Sequence, residues 1–131
     1  MIKRIQRIAD YAERIHLTNE DAVTLVQRLK DGLPHNTLFY LDPPYYIKGK
    51  GLYLNYYNDK DHQDIANSIG DFREHKWIIS YDNVDFIVDL YSKFRQKTFE
   101  LNYSASNSGK GKEVMIFSDN LVIPYHNLFS K

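Results

Sequence analysis

Leu38-Phe39-Tyr40-Leu41-Asp42-Pro43-Pro44-Tyr45 is an apolar, aromatic run of strand character that stops at an acid, two prolines and a tyrosine. Proline cannot donate to a strand ladder and turns the residue before it away from helix, so the strand ends at Asp42 and the chain beyond is stiff. A carboxylate, backbone carbonyls and an aromatic face are thereby presented together at a strand's C-terminal end. In open α/β sheets that edge is where ligands bind.

Upstream of this corner, Ile2, Ile5, Ile8, Ala9 and Ala12 recur at helical spacing, which predicts an amphipathic helix from about Ile2 to Glu13 with Lys3, Arg4, Arg7 and Asp10 on its other faces. Arg14 to Leu17 reads as a short strand. Thr18 or Asn19 then caps a helix through about Lys30, with Glu20 and Asp21 in its first turn, and Gly32, Pro34 and Asn36 break the chain before Leu38. Downstream, Tyr46-Ile47-Lys48-Gly49-Lys50-Gly51-Leu52-Tyr53 follows neither period and reads as a loop. Asp59 or Asp61 caps a helix carrying His62, Ile65, Ala66 and Ile69, and Lys76-Trp77-Ile78-Ile79-Ser80-Tyr81 is a buried strand ended by Asp82-Asn83. Val84 to about Phe94 is helical. Two more strands, Lys97 to about Ser104 and Glu113 to Phe117, flank a Ser/Gly/Lys loop with no helix between them and so form an antiparallel pair.

Composition narrows the function classes. At 131 residues the chain is a single domain, with no internal repeat or low-complexity linker to divide residues 1–131. Seventeen basic and seventeen acidic residues cancel, so any basic surface is local. The absence of cysteine removes disulfides, thiolate metal sites and a cysteine nucleophile, as in a cytoplasmic protein. No apolar run approaches membrane length. Aromatic residues are 15% of the chain, and many of its eleven tyrosines fall between Tyr40 and Tyr57, as a stacking surface or half-buried strand positions would require.

The order of elements resembles the C-terminal half of the Dam-type (D12 class) adenine-specific DNA N6-methyltransferases: a strand, Asp42-Pro43-Pro44-Tyr45, a Tyr/Lys-rich loop, Asp61-His62, a second strand ending Ser80-Tyr81-Asp82-Asn83, and a hairpin with Glu113-Val114-Met115-Ile116. Aspartate at the head of the tetrapeptide favours adenine N6 over the asparagine-headed and serine-headed versions. The resemblance implies that Asp42 and the Pro43 backbone accept hydrogen bonds from the adenine amine. It further implies that Pro44 stiffens the corner, that Tyr45 stacks on a flipped-out base, and that S-adenosylmethionine supplies the methyl group. Such chemistry needs acceptors because the amine's lone pair is delocalised into the ring. Asp21, with Glu20 as second choice, resembles the position that contacts the donor's adenine; acids at a helix N-terminus are also expected for helix stability alone. Tyr46, Lys48, Lys50, Lys110 and Lys112 are candidate DNA contacts, the lysines on loops able to meet phosphate or simply to be solvated. His62 reads as a structural residue of a helix N-terminus.

The fold implied is α/β, a partial Rossmann-like class I methyltransferase fold with a mostly parallel sheet and a C-terminal antiparallel hairpin. The family's seven-strand order is 3-2-1-4-5-7-6, and this sequence accounts for strands 3 to 7, lacking the first two. The Phe-x-Gly-x-Gly-like donor turn and target-recognition domain of the family are not found; the first glycine is Gly32. These features lead to the expectation of a truncated enzyme inactive alone, acting on DNA as a homo-oligomer or with a complementing polypeptide. The rival expectations are a catalytically inactive module that binds nucleic acid or a partner, and methylation of RNA or of a protein amide.

Overall fold

A computed structural model describes residues 2–47, 49, 56–102 and 110–123. In chain order the elements are α1 (Ile2–Ala9), a 3₁₀ turn (Ala12–Arg14), α2 (Ala22–Leu29), β1 (Leu38–Leu41), α3 (Asp59–Gly70), β2 (Lys76–Asp82), α4 (Asp85–Leu90), β3 (Arg95–Asn102) and β4 (Lys110–Phe117). The strands form one mixed sheet in the order β1-β2-β4-β3. β1 and β2 are parallel, with Leu38 opposite Lys76 and Leu41 opposite Ile79. β4 runs antiparallel to both neighbours, placing Glu113 opposite Asp82 and Lys112 opposite Glu100. This order is that of strands 4, 5, 7 and 6 in the arrangement the resemblance implies, but strand 3 of that arrangement is not among the described strands, and two of the three pairings are antiparallel where the resemblance implies a mostly parallel sheet.

β2 is the sheet's anchor because its sequence is apolar on one parity and polar at the end of the other. Trp77, Ile79 and Tyr81 alternate onto one face and are completely buried with Val114 and Ile116 of β4. α3 covers this face with His62, Ile65, Ala66 and Ile69, the i, i+3, i+4, i+7 stripe of a helix packed along one side. Each large apolar side chain so buried stabilises the fold by about 1.5–3 kcal/mol. α3 starts at a capping box: Asn58 accepts from the Lys60 and Asp61 amides, and Asp61 accepts in return from the Asn58 amide at 2.8 Å. The cap is thus Asn58, one residue before the expected Asp59, with Asp61 as its reciprocal partner. α2 packs on α3 through Val23 and Val26.

Two elements differ from expectation. Arg14 to Leu17 is not a strand: residues 12–14 close a 3₁₀ turn, and Ile15 and Leu17 are exposed in chain of no regular form. A lone extended segment has no ladder to satisfy its backbone, so apolar alternation alone does not make a strand there. Lys110 and Lys112 lie in β4, not in a loop, because backbone pairing of β3 with β4 continues past Gly111 to Lys110 opposite Asn102.

Candidate active site

β1 ends where the prolines require. Asp42 follows it as an exposed carboxylate, Pro43 is buried, and Pro44 and Tyr45 are half-buried. Because β1 and β2 are parallel and in register, Tyr40 and Asp42 share a face with Ser80. The Ser80 hydroxyl donates to Asp42 Oδ1 at 3.0 Å, and the Tyr40 hydroxyl lies 2.9 Å from Ser80 Oγ. Serine has one hydroxyl proton, so with that proton on Asp42 it is Tyr40 that donates to Ser80.

Two buried carboxylates fix the rest of the corner. Asp82, at the end of β2, accepts from the backbone amides of Tyr46 at 2.7 Å and Ile47 at 2.9 Å, one on each oxygen. Glu113, its cross-strand neighbour, accepts from the Tyr45 hydroxyl at 2.7 Å. Burying a carboxylate is costly without such charge-assisted bonds, and two acids opposite one another in a ladder repel. Together they tie Tyr45, Tyr46 and Ile47 to β2 and β4. The Tyr46 ring adds a further anchor: it stacks on Phe86 with centroids 4.6 Å apart, lies 5.5 Å from His62, and its hydroxyl donates to Asp59 at 3.0 Å. That hydrogen bond to Asp59 is the main cause raising the Tyr46 phenol above its ordinary value, with burial second.

Beside the corner lies a cleft of about 340 Å³. Its walls are Ala22, Leu25, Val26 and Leu29 of α2, Phe39 to Pro44, Tyr57 and Ile65. It is apolar except where Asp42 and the tyrosines meet it, the usual character of a small-molecule site. A more polar cleft of about 450 Å³ adjoins it through Tyr57 and Ile65 and is lined by Asp21, Asp61, Asp64 and Asp71. Burial, then the charges of Asp21 and Asp61, raise the Tyr57 phenol between the two.

The residues singled out from sequence fall as follows. Asp42, Pro43 and Pro44 line the smaller cleft, and Tyr45 stands beside them on its Glu113 tether. Asp21 is the N-cap of α2: its Oδ1 accepts from Thr24 N at 3.0 Å and Thr24 Oγ1 at 3.1 Å. Glu20 uses both oxygens on Arg28, at 2.6 and 3.2 Å. Lys112 is exposed on β4 beside Glu113, at the same end of the sheet as the corner, and Lys110 is in the same strand. Lys48 and Lys50 lie outside the described residues. His62 is fully buried, its Nδ1 3.0 Å from the Tyr81 hydroxyl. Ser80, Asp82 and Glu113 have no site role in the sequence reading; Asp82 closes β2 while Ser80 and Glu113 lie inside strands, and a polar residue in or at the end of a buried apolar strand is the signal that marks them.

The mixed sheet, with this corner at the carboxyl ends of its parallel strands, is compatible with a methyltransferase fold. A family model for D12 class N6 adenine-specific DNA methyltransferases matches residues 1–105, and the chain belongs to that family. The match takes in α1 through β3, including the corner, and ends before β4. No curated protein matches the sequence. Among the described residues no helix is long and apolar enough to cross a membrane.

Proposed function

We propose that this chain supplies the base side of a site that transfers a methyl group from S-adenosylmethionine to N6 of adenine in DNA, acting in the cytoplasm. The observation that carries this reading is the exposed Asp42 carboxylate, aimed by Ser80 at the end of β1 and lining an apolar cleft with Pro43 and Pro44. Asp42 and the Pro43 carbonyl accept the two amine hydrogens, drawing nitrogen towards a tetrahedral form with its lone pair available. Pro44 and the prolyl ring of Pro43 keep those acceptors from moving, which is electrostatic preorganisation. Tyr45, tethered through its hydroxyl, offers its ring to a flipped-out base, a contact worth about 1–3 kcal/mol. Bound S-adenosylmethionine supplies an electrophilic methyl on a sulfonium. Asp42 and the Pro43 carbonyl would hold N6 facing that methyl group, and the proton that N6 gives up would pass to solvent water at the exposed Asp42 side of the corner.

The chain's residues fit part of that donor. The cleft beside the corner has apolar walls, and Asp21, in the adjoining polar cleft, accepts from Thr24 through Oδ1 alone among the described residues, whereas both oxygens of Glu20 are taken by Arg28. Asp21 is therefore the cofactor-binding assignment, with Glu20, which is paired with Arg28, as the second choice. The glycine turn that would hold the rest of the donor is not in this sequence. Among the described residues β1 is one edge of the sheet, with Leu38 and Tyr40 more than half exposed. An open, apolar edge invites strand pairing, and we assign it to the donor-side strands of a complementing polypeptide or of a second copy, which together would complete a Rossmann-like sheet. Lys110 and Lys112, with Lys48 and Lys50, are assigned to DNA phosphates; Tyr46 serves the nucleic-acid side by anchoring the chain that leads to Lys48.

A methylation assay on adenine-containing DNA, run with the complementing segment present and with Asp42→Ala as control, tests the reading. Methyl transfer that disappears in the variant is expected; transfer retained by Asp42→Ala refutes the assignment. Calorimetry that finds DNA binding but no heat with S-adenosylmethionine, even with the complementing segment present, would favour a binding module instead.

A further inference from the structure

We propose that Ser80 is a positioning residue for methyl transfer, and that a two-link relay from the Tyr40 hydroxyl through the Ser80 hydroxyl holds the Asp42 carboxylate in its accepting orientation. The proposal rests on the adenine-N6 reading of Asp42 and adds the group that aims it.

Ser80 sits in β2 between Ile79 and Tyr81, both completely buried, and is itself 3% exposed. A hydroxyl in such a place needs a partner, and packing alone would be served at least as well by alanine or valine. Its proton goes to Asp42 Oδ1 at 3.0 Å, and its oxygen is engaged by Tyr40 at 2.9 Å, so both of its hydrogen-bonding roles are spent on the site's side of β1. Asp42 is exposed and follows the last strand residue, so nothing about its backbone alone selects a side-chain rotamer. The Ser80 bond occupies one oxygen and fixes the plane of the carboxylate. The second oxygen is then presented in a constant direction to an incoming amine, which is what a near-attack geometry requires; small misplacements there cost about a hundredfold in rate. Tyr40 completes the device by removing Ser80's freedom to rotate its proton elsewhere. Tyr40 is 58% exposed as a residue while its hydroxyl meets Ser80, an arrangement that an exposed edge tyrosine does not otherwise need.

The direct readout is the Asp42 rotamer, measured by Hα–Hβ scalar couplings in solution, which needs no turnover. The native chain is expected to show one rotamer, Ser80→Ala an averaged pair of couplings, Tyr40→Phe partial averaging, and Ser80→Thr a single rotamer again. Unchanged amide and Trp77 indole shifts away from the corner would show that the fold is intact. In the methylation assay, Ser80→Ala lowers kcat about 10–100-fold with KM for DNA changed less than threefold, and Ser80→Thr recovers most of the loss. A single Asp42 rotamer in Ser80→Ala overturns the proposal. So does an unchanged kcat in Ser80→Ala where Asp42→Ala is inactive. Averaged couplings together with an active Asp42→Ala would leave the relay standing and remove the adenine reading instead.

Discussion

The N-terminal segment and the Asp42 corner are both polar-apolar mixtures at the surface, yet they are held in opposite ways. α1 carries Ile2, Ile5 and Ile8 at helical spacing, and all three are 60–73% exposed; no residue of α1 is buried. The corner is shorter and less regular, but Asp42, Tyr45, Tyr46 and Ile47 each receive a hydrogen bond from, or give one to, β2 or β4. Periodicity therefore makes an element without giving it a place. Place comes from polar partners many residues away, here 35 to 68 positions along the chain.

That contrast can be broken first at the scaffold the corner depends on. Trp77→Ala should destabilise the chain by about 3–5 kcal/mol in denaturant unfolding, since the ring is buried and meets Phe94 edge-on at 4.8 Å. A loss below about 1 kcal/mol would mean that β2 is not the anchor. Next comes the carboxylate that clamps the turn. Asp82→Ala should cost about 2–4 kcal/mol by leaving two backbone amides without their charged acceptor, with faster hydrogen exchange at Tyr46 and Ile47 than at Ile79. Equal protection before and after the substitution would show that the corner is rigid without Asp82.

Alkali provides a third test. Burial pushes the Tyr81 and Tyr91 phenols well above their ordinary value of 10.0. Their contribution to stability is complete below pH 10 and is lost above it, because the unfolded phenols ionise there while the folded ones keep their protons. Together they should make stability fall by about 2–3 kcal/mol for each pH unit above 10. Tyr81→Phe should flatten that slope. The smallest effect belongs to α1: Ile5→Asp should change unfolding free energy by less than about 0.5 kcal/mol. A loss of 2 kcal/mol or more would mean that α1 is packed against something, and sedimentation of the variant would show whether a second copy provides it.

Much of this was written locally. The prolines after Asp42 end β1 by removing a donor and fixing φ, the apolar density of residues 77–79 makes a central strand, and the helix-free span before Glu113 forces the last two strands to be antiparallel. Where the sequence misleads, it does so for want of a partner: Ile15 and Leu17 have strand character but no neighbouring ladder, while the Gly-Lys residues before Glu113 look like loop yet pair as β4. The tetrapeptide itself was legible because its constraint is covalent and steric, acting within two residues. What aims it was not, because Tyr40, Ser80, Asp82 and Glu113 come together only when three strands are in register. The sequence by itself thus determined the rigid acceptor corner, and the tertiary structure decided its orientation, since a hydrogen bond is set by the distance between two groups in space and leaves no local trace in the chain.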